Sequence, residues 1–300
     1  MMCPNSGIPS KDFPEVYKDL LKFDSKKKKN KLHIEFDLLN AMSQKHDEEV
    51  FEKGKSIENK GKNRYSNIIP VGSEMPYLSS SVEGHNEYIN AVFLPGFKRS
   101  RAFIITQMPM ESTIVDFWRL VNDYGISVIV MLNADFEQTD VYWPQHKEDP
   151  FNIGPFRVEH KEIKKKQHYS MMELALISNH KQKRVKIFQQ NFWKEESILP
   201  DSVEELFAFI ADVEESHGRD GREEPLLVHC LDGCDKSGLY CVLATVIERL
   251  RTEQDVDIQH IIKQMRNRRP QIIPNHEQFR FLYEAVIEYL KQFETYANFS

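Results

Sequence analysis

The sequence has no apolar run that approaches the roughly 20 residues a helix needs to cross a bilayer. It therefore predicts no membrane-spanning helix. Residues 1–10 include Pro4, Asn5 and Pro9 and lack the apolar stretch of a secretory signal peptide. From these two absences we expect a cytosol-type piece of protein.

Cysteine is also scarce. The 300 residues contain only Cys3, Cys230, Cys234 and Cys241. These four form neither a disulfide framework nor paired C-x-x-C motifs, which indicates a reducing compartment. The histidines are scattered without paired ligand spacing. We therefore expect no metal site and no organic cofactor.

An excess of positive charge is absent too. The formal net charge is −6 and the sequence pI is about 6.0. Proteins that bind nucleic acid are usually basic over the binding domain, so we expect no nucleic-acid partner. The composition, 40% hydrophobic and 29% charged, is that of a globular chain with a sizeable core.

The chain divides into a leader or linker, residues 1–31, and one domain, residues 32–300. The lysine-rich run 26–31 predicts a solvated linker, or a contact with anionic lipid if a membrane lies upstream. Strands are predicted near 88–93, 102–106, 126–132, 156–158, 171–177, 184–192 and 225–229. Helices are predicted near 15–23, 33–44, 113–124, 238–251, 257–268 and 277–293. Strands in the middle, flanked by helices, predict a single α/β (α+β) domain.

The stretch "LLVHCLDGCDKSGLYCV" (226–242) carries the strongest chemical signal. An apolar strand delivers Cys230 into a tight loop, 231–236, and a helix follows from Ser237. Backbone N–H groups at a helix N-terminus form a cradle for anions, and the helix dipole would lower the thiol pKa. This pattern favours Cys230 as a thiolate nucleophile. The alternative is a buried structural cysteine at a strand end.

This loop resembles a known signature. "VHC-x-x-G-x-x-K-S-G" is similar to the H-C-x-x-G-x-x-R-[ST]-G motif of classical protein tyrosine phosphatases. Further blocks match that family in order over about residues 33–296: "KNRYSNIIP", "EYINAVF", "FIITQMP", "DFWRLV", "VIVMLN" and "YWP". The resemblance implies that family's fold, a highly twisted mixed central sheet flanked by helices. "VHCLDG" and "AVIEYLKQFETYA" most resemble second, membrane-distal domains of LAR-type or MAM-type receptor phosphatases.

The resemblance also assigns site residues. For catalysis these are Cys230 (nucleophile position), Lys236 (phosphate-clamp position), Glu195 (general-acid position) and Ser237. For substrate binding they are Tyr65, Asn67, Leu231, Asp232, Gly233, Cys234, Asp235 and Gln278.

Several of these positions depart from the family pattern. Lys236 replaces an arginine and loses the planar fork that grips two phosphate oxygens. Glu195, in "FWKEESILP", replaces an aspartate, and Lys194 replaces the proline before it. A misplaced general acid loses on the order of 10²–10⁴ in rate.

Two further positions depart from the pattern. Pro274 stands where the family positions water with a glutamine, and only the later Gln278 remains. Asn67 replaces the aspartate that holds the substrate backbone. The orientation of Asp232 and Asp235 stays open: facing inward they would repel phosphate and raise the Cys230 pKa, and facing outward they would be neutral turn residues.

These departures favour a catalytically impaired second phosphatase domain that serves regulation or protein interaction. The expected partners are an adjacent active phosphatase domain, adaptor or signalling proteins, and phosphotyrosine peptides. The expected location is the cytoplasmic side of a single-pass plasma-membrane receptor. One alternative is a weakly active phosphatase that uses a Cys230 thiolate and a cysteinyl-phosphate intermediate. A second alternative is redox sensing through Cys230 and Cys234.

Overall fold

Eight strands form one mixed sheet that carries the candidate site. The computed structural model describes residues 7–133, 141–218 and 223–297. In sheet order the strands are β4 (Ala91–Leu94), β5 (Phe103–Gln107), β11 (Leu226–Cys230), β6 (Val128–Met131), β10 (Lys181–Gln190), β9 (Tyr169–Ser178), β8 (Phe156–Lys165) and β7 (Phe151–Ile153). The pairs β5–β11, β11–β6 and β6–β10 are parallel, and the other pairs are antiparallel.

Helices cover both faces of this sheet. They are α1 (Phe13–Leu20), α2 (Lys31–Met42), α3 (Glu52–Lys55), α4 (Ile57–Lys60), α5 (Ile114–Asp123), α6 (Val203–His217), α7 (Asp235–Glu253), α8 (Ile258–Arg266) and α9 (His276–Ala297). Short 3₁₀ helices span Glu48–Phe51, Gly72–Glu74 and Glu111–Thr113. Two small antiparallel pairs complete the fold: β1 (Ile8–Pro9) with β12 (Asp255–Val256), and β2 (Phe23–Asp24) with β3 (Lys29–Asn30).

The central strands read as continuous apolar runs because both of their faces are buried. In β11, Leu226, Val228 and Cys230 face the core formed with α1, α2 and α6 to α9. Leu227 faces the opposite core, which α5 covers. The alternation of a strand thus places the Cys230 side chain on the same side as α7.

The predicted mixed sheet and helices are confirmed. β8 and β10 are longer than predicted, because their polar ends are exposed and stay in the strand through pairing with β9. None of the predicted helices covers α6. Its start has a recognisable signal, since the Ser202 side chain accepts a hydrogen bond from the Glu205 backbone N–H (3.2 Å) in an S-x-x-E pattern.

The described part of the leader packs on the domain. Phe13 is 1% exposed, and its ring lies 5.7 Å from that of Tyr283 in α9. The lysine-rich run is solvent-exposed, as expected, but it forms the turn of the β2–β3 hairpin rather than a free linker. The division at residue 31 stays a prediction. In the described part of the chain, no helix has the length and apolar character needed to span a membrane.

We expect Phe13→Ala to lower the free energy of unfolding by about 3–5 kcal/mol, because it removes a ring from a closed core. Phe23→Ala is the matched control in the same segment, since Phe23 is 69% exposed, and it should change stability by less than about 0.5 kcal/mol. Urea unfolding of both variants measures this. Equal, small effects would show that the leader does not belong to the core.

Candidate active site

The site forms where the parallel strands end. β11 lies between β5 and β6, and its five residues are all buried. The chain leaves it at Cys230 and turns into α7. Gly233 makes this turn possible: its φ is +71°, and a Cβ there would lie 2.4 Å from the backbone N of Gln107. We call residues 231–236 the cradle.

The carboxylate of Asp232 turns back into the cradle. Its Oδ1 accepts hydrogen bonds from the backbone N–H groups of Cys234 (2.9 Å) and Asp235 (3.0 Å) and from the Cys230 thiol (3.1 Å). Its Oδ2 accepts from the Cys234 thiol (3.1 Å). Free N–H groups at a helix N-terminus are the donors that such a loop offers to an external anion. Asp232 thus supplies an internal anion.

The contacts of Asp232 keep it ionised. Burial alone would raise its pKa, but the N–H groups of Asp235 and Cys234 and the two thiols outweigh burial and lower it. Of the two orientations left open by the sequence, Asp232 takes the inward one.

Cys230 is therefore a protonated thiol at neutral pH. Burial, followed by the negative charge of Asp232, raises its pKa to about 12, although hydrogen bonds from Ser237 act in the opposite direction. Burial and Asp232 also raise the pKa of Cys234. The expectation that the loop geometry lowers the Cys230 pKa is wrong, because burial and the Asp232 carboxylate at the helix N-terminus both raise it.

The Lys236 side chain points toward the loop that carries Glu195. Its ammonium donates to the backbone carbonyl of Lys194 (2.7 Å), lies 3.5 Å from that of Trp193, and is 3.6 Å from Glu195 Oε2. The side chain is buried and lies over the Trp193 ring at 5.5 Å. The cation at the phosphate-clamp position thus holds a neighbouring loop.

The loop 193–200 is fixed at further points. The Gln190 side chain accepts from the Trp193 N–H (2.7 Å) and donates to the Trp193 carbonyl (2.9 Å). Gln278 donates from Nε2 to the Ile198 carbonyl (3.3 Å). Glu195 lies 3.4 Å from the side-chain amide of Asn133. The general-acid position is thus held by contacts with the protein itself.

Asp235 turns toward α9. Its Oδ1 accepts a hydrogen bond from Gln278 Nε2. Burial raises the pKa of Asp235, while that hydrogen bond acts in the opposite direction. Gln278, proposed from sequence to contact substrate, is fully buried and bound to this carboxylate.

The segment 62–70, "KNRYSNIIP", lies beside the cradle. Tyr65 is 38% exposed, and its pKa is raised by burial and then by the charge of Asp232. The Gln107 side chain fixes this segment, because it accepts from the Arg64 N–H (2.9 Å) and donates to the Lys62 carbonyl (2.9 Å). Asn67 lies at the exposed edge, where its carbonyl accepts from Gln271 (3.0 Å).

The structure thus brings most of the predicted residues together. Asp232 accepts hydrogen bonds from the thiols of Cys230 and Cys234, and its charge acts on Tyr65. Lys236 lies 3.6 Å from Glu195. Leu231, Gly233 and Ser237 complete the turn into α7. Asn67 is set apart from this group.

His229 lies just before Cys230 at the end of β11. Its Nε2 pairs with the Tyr142 hydroxyl at 2.8 Å. Burial lowers its pKa to about 3, so the imidazole is neutral. Sequence reasoning also missed Arg269, which is fully buried and donates to the Gly233 carbonyl (3.2 Å). The "RNRRP" block contains that residue but gives no sign of its role.

Comparison with known proteins now identifies the family. The model of the family described as protein-tyrosine phosphatase matches residues 59–288. The chain belongs to the protein-tyrosine phosphatase family. It is 31% identical to receptor-type tyrosine-protein phosphatase U of Gallus gallus over 306 aligned positions. This alignment covers 98% of this chain and 21% of that protein. It is 29% identical to receptor-type tyrosine-protein phosphatase S of Gallus gallus over 304 positions, covering 99% of this chain and 20% of that protein.

A solved structure agrees with this assignment. The catalytic domain of human protein tyrosine phosphatase non-receptor type 18 superposes with a TM-score of 0.75 at 28% identity, covering 86% of this chain and 95% of that one. The resemblance to the protein tyrosine phosphatase family is thereby confirmed. This phosphatase domain spans about a fifth of the length of the curated relatives it matches.

Within the described residues of this phosphatase domain, no group of three or more His, Cys, Asp or Glu side chains could hold a metal ion.

The Asp232 contact predicts how Cys230 reacts with iodoacetamide. Since its pKa is about 12, the alkylation rate should rise about tenfold per pH unit from about pH 7 to about pH 10 without a plateau. Asp232→Ala should increase the rate at pH 8 by about tenfold or more, because removal of the charge lowers the thiol pKa. Mass spectrometry of the Cys230 peptide measures both.

The control is Asp149→Ala, an exposed carboxylate that should leave the rate unchanged. A plateau near pH 9 in the native chain, or equal rates in the two variants, would contradict the assignment of Asp232 as the charge that suppresses the thiolate.

Proposed function

We propose that this chain is a catalytically impaired phosphatase domain that serves regulation or protein interaction. The observation that carries the proposal is the Asp232 carboxylate, which accepts from two cradle N–H groups and two thiols. A substrate phosphate needs the same N–H groups. The two anions therefore compete for one site, and the internal one is covalently attached.

Charge repulsion makes this competition one-sided. Two unit charges about 4 Å apart repel by about 4 kcal/mol at an effective dielectric constant of about 20. That is about a thousandfold in affinity, before the second charge of a phosphate dianion is counted. Reorientation of Asp232 would relieve the repulsion, but it would break four hydrogen bonds.

The chemical groups are also poorly prepared for catalysis. A thiol with a pKa of about 12 has on the order of 10⁻⁵ of its population as thiolate at pH 7. Lys236 is occupied by the Lys194 carbonyl, so phosphate would have to displace that contact as well. Glu195 Oε2 lies 3.6 Å from the Lys236 ammonium, so the carboxylate at the general-acid position already has a protein partner.

We further propose that the domain is the second phosphatase domain of a receptor-type protein, on the cytoplasmic side of the membrane. The receptor-type names of its relatives and the fraction of their length that it spans support this, as does the resemblance of "VHCLDG" to second domains. Its partners would be the adjacent active domain or adaptor proteins. Tyr65, 38% exposed at the cradle rim, could still stack on a phosphotyrosine ring.

The two alternatives fit the contacts less well. A weak phosphatase and a redox sensor both need the Cys230 thiolate, because the thiolate is the form that attacks phosphorus or is oxidised. The raised pKa values of Cys230 and Cys234 oppose both.

Hydrolysis of a phosphotyrosyl peptide tests the proposal. We expect the native chain and Cys230→Ser to be indistinguishable from background. The double variant Asp232→Ala/Lys236→Arg should gain at least about tenfold over the native chain, because it empties the cradle and restores the planar phosphate clamp.

Adding Cys230→Ser to the double variant provides the control and should abolish the gain. The proposal fails if the native chain turns over at ordinary enzyme rates, with kcat of about 1–10³ s⁻¹, and if Cys230→Ser removes that activity.

A further inference from the structure

A second polar cavity lies at the opposite end of the sheet from the cradle. β5 and β11 run parallel and bring Gln107 beside Cys230 at one end, so the residues before Phe103 lie at the other end. The turn 95–102 joins β4 to β5 there and forms one wall of a cavity of about 650 Å³. The five residues of β5 separate it from the cradle by about 16 Å.

Positive charge predominates in this cavity. Lys98, Arg99 and Arg268 line it, with Glu74 as the one acidic residue among the lining side chains of the described chain. Glu74 is partly neutralised, since its Oε2 lies 3.4 Å from Arg268 Nε. Arg268 is held in place by the carbonyls of Phe93 (3.3 Å) and Ser100 (2.9 Å).

The ammonium of Lys98 is available to a ligand. In the described part of the chain it has neither a hydrogen bond nor an ion pair, and the residue is exposed at the cavity rim. The nearby Arg99 donates to the Glu224 carbonyl (3.4 Å), which fixes its guanidinium beside the same rim. The cavity thus presents one unpaired cation next to two positioned ones.

We propose that this cavity binds a small molecule that carries several phosphate groups. The phosphate groups would face Lys98, Arg99 and Arg268. The volume lies in the range of about 300–1,000 Å³ typical of small-molecule sites. The polar, cationic lining disfavours an apolar ligand. An inositol phosphate meets these requirements, either free in solution or as a lipid headgroup.

Isothermal titration calorimetry with inositol hexakisphosphate tests the site at fixed ionic strength. We expect saturable binding to the native chain, a loss of about tenfold or more in affinity for Lys98→Glu, and near-native affinity for Lys98→Arg. Lys18→Glu is the matched control: it makes the same charge change on α1, where the Lys18 side chain is 69% exposed, and should leave affinity within about twofold.

Co-sedimentation with phosphatidylcholine vesicles, with and without a phosphatidylinositol bisphosphate, distinguishes the two sources. Binding to the bisphosphate vesicles that Lys98→Glu abolishes would identify a lipid headgroup. Binding to free inositol hexakisphosphate alone would identify a soluble ligand. The proposal is overturned if the native chain binds neither probe, or if Lys98→Glu and Lys18→Glu weaken binding equally.

Discussion

The hydrogen bonds between Asp232 and its own loop determine what the rest of this site can do. A strand end followed by a helix N-terminus creates two N–H donors and a positive dipole, and such a place attracts an anion. Here the chain supplies that anion two residues after Cys230. The fold's anion-binding geometry is preserved, while its occupant is internal.

Other side chains around the cradle also bind groups of the protein itself. Lys236 binds a backbone carbonyl of the loop 193–200, and Gln278 binds Asp235. Arg269 donates a hydrogen bond to the Gly233 carbonyl. The protein partners of Asp232, Lys236 and Gln278 support the proposal of a catalytically impaired domain.

Much of the fold could be predicted, because the central strands are apolar on both faces and α5, α7 and α9 have clear helical spacing. The motifs also predict the nucleophile position and the departures at Lys236 and Glu195, and these stay predictions. The orientation of Asp232 could not be predicted, since a turn residue can face either way and only the φ of Gly233 and the approach of β5 decide it. The packing of Phe13 on α9 depends on contacts some 270 residues apart along the chain, which no local pattern reveals.

The most direct test of the occupied cradle is a crystallographic soak with tungstate, a tetrahedral anion of phosphate shape whose position anomalous scattering reveals. The account predicts no tungsten peak in the cradle of the native chain, with the Asp232 carboxylate on the Cys234 and Asp235 N–H groups. It predicts a peak at those same N–H groups in Asp232→Ala. A tungsten peak in the native cradle, with Asp232 turned outward, would contradict it.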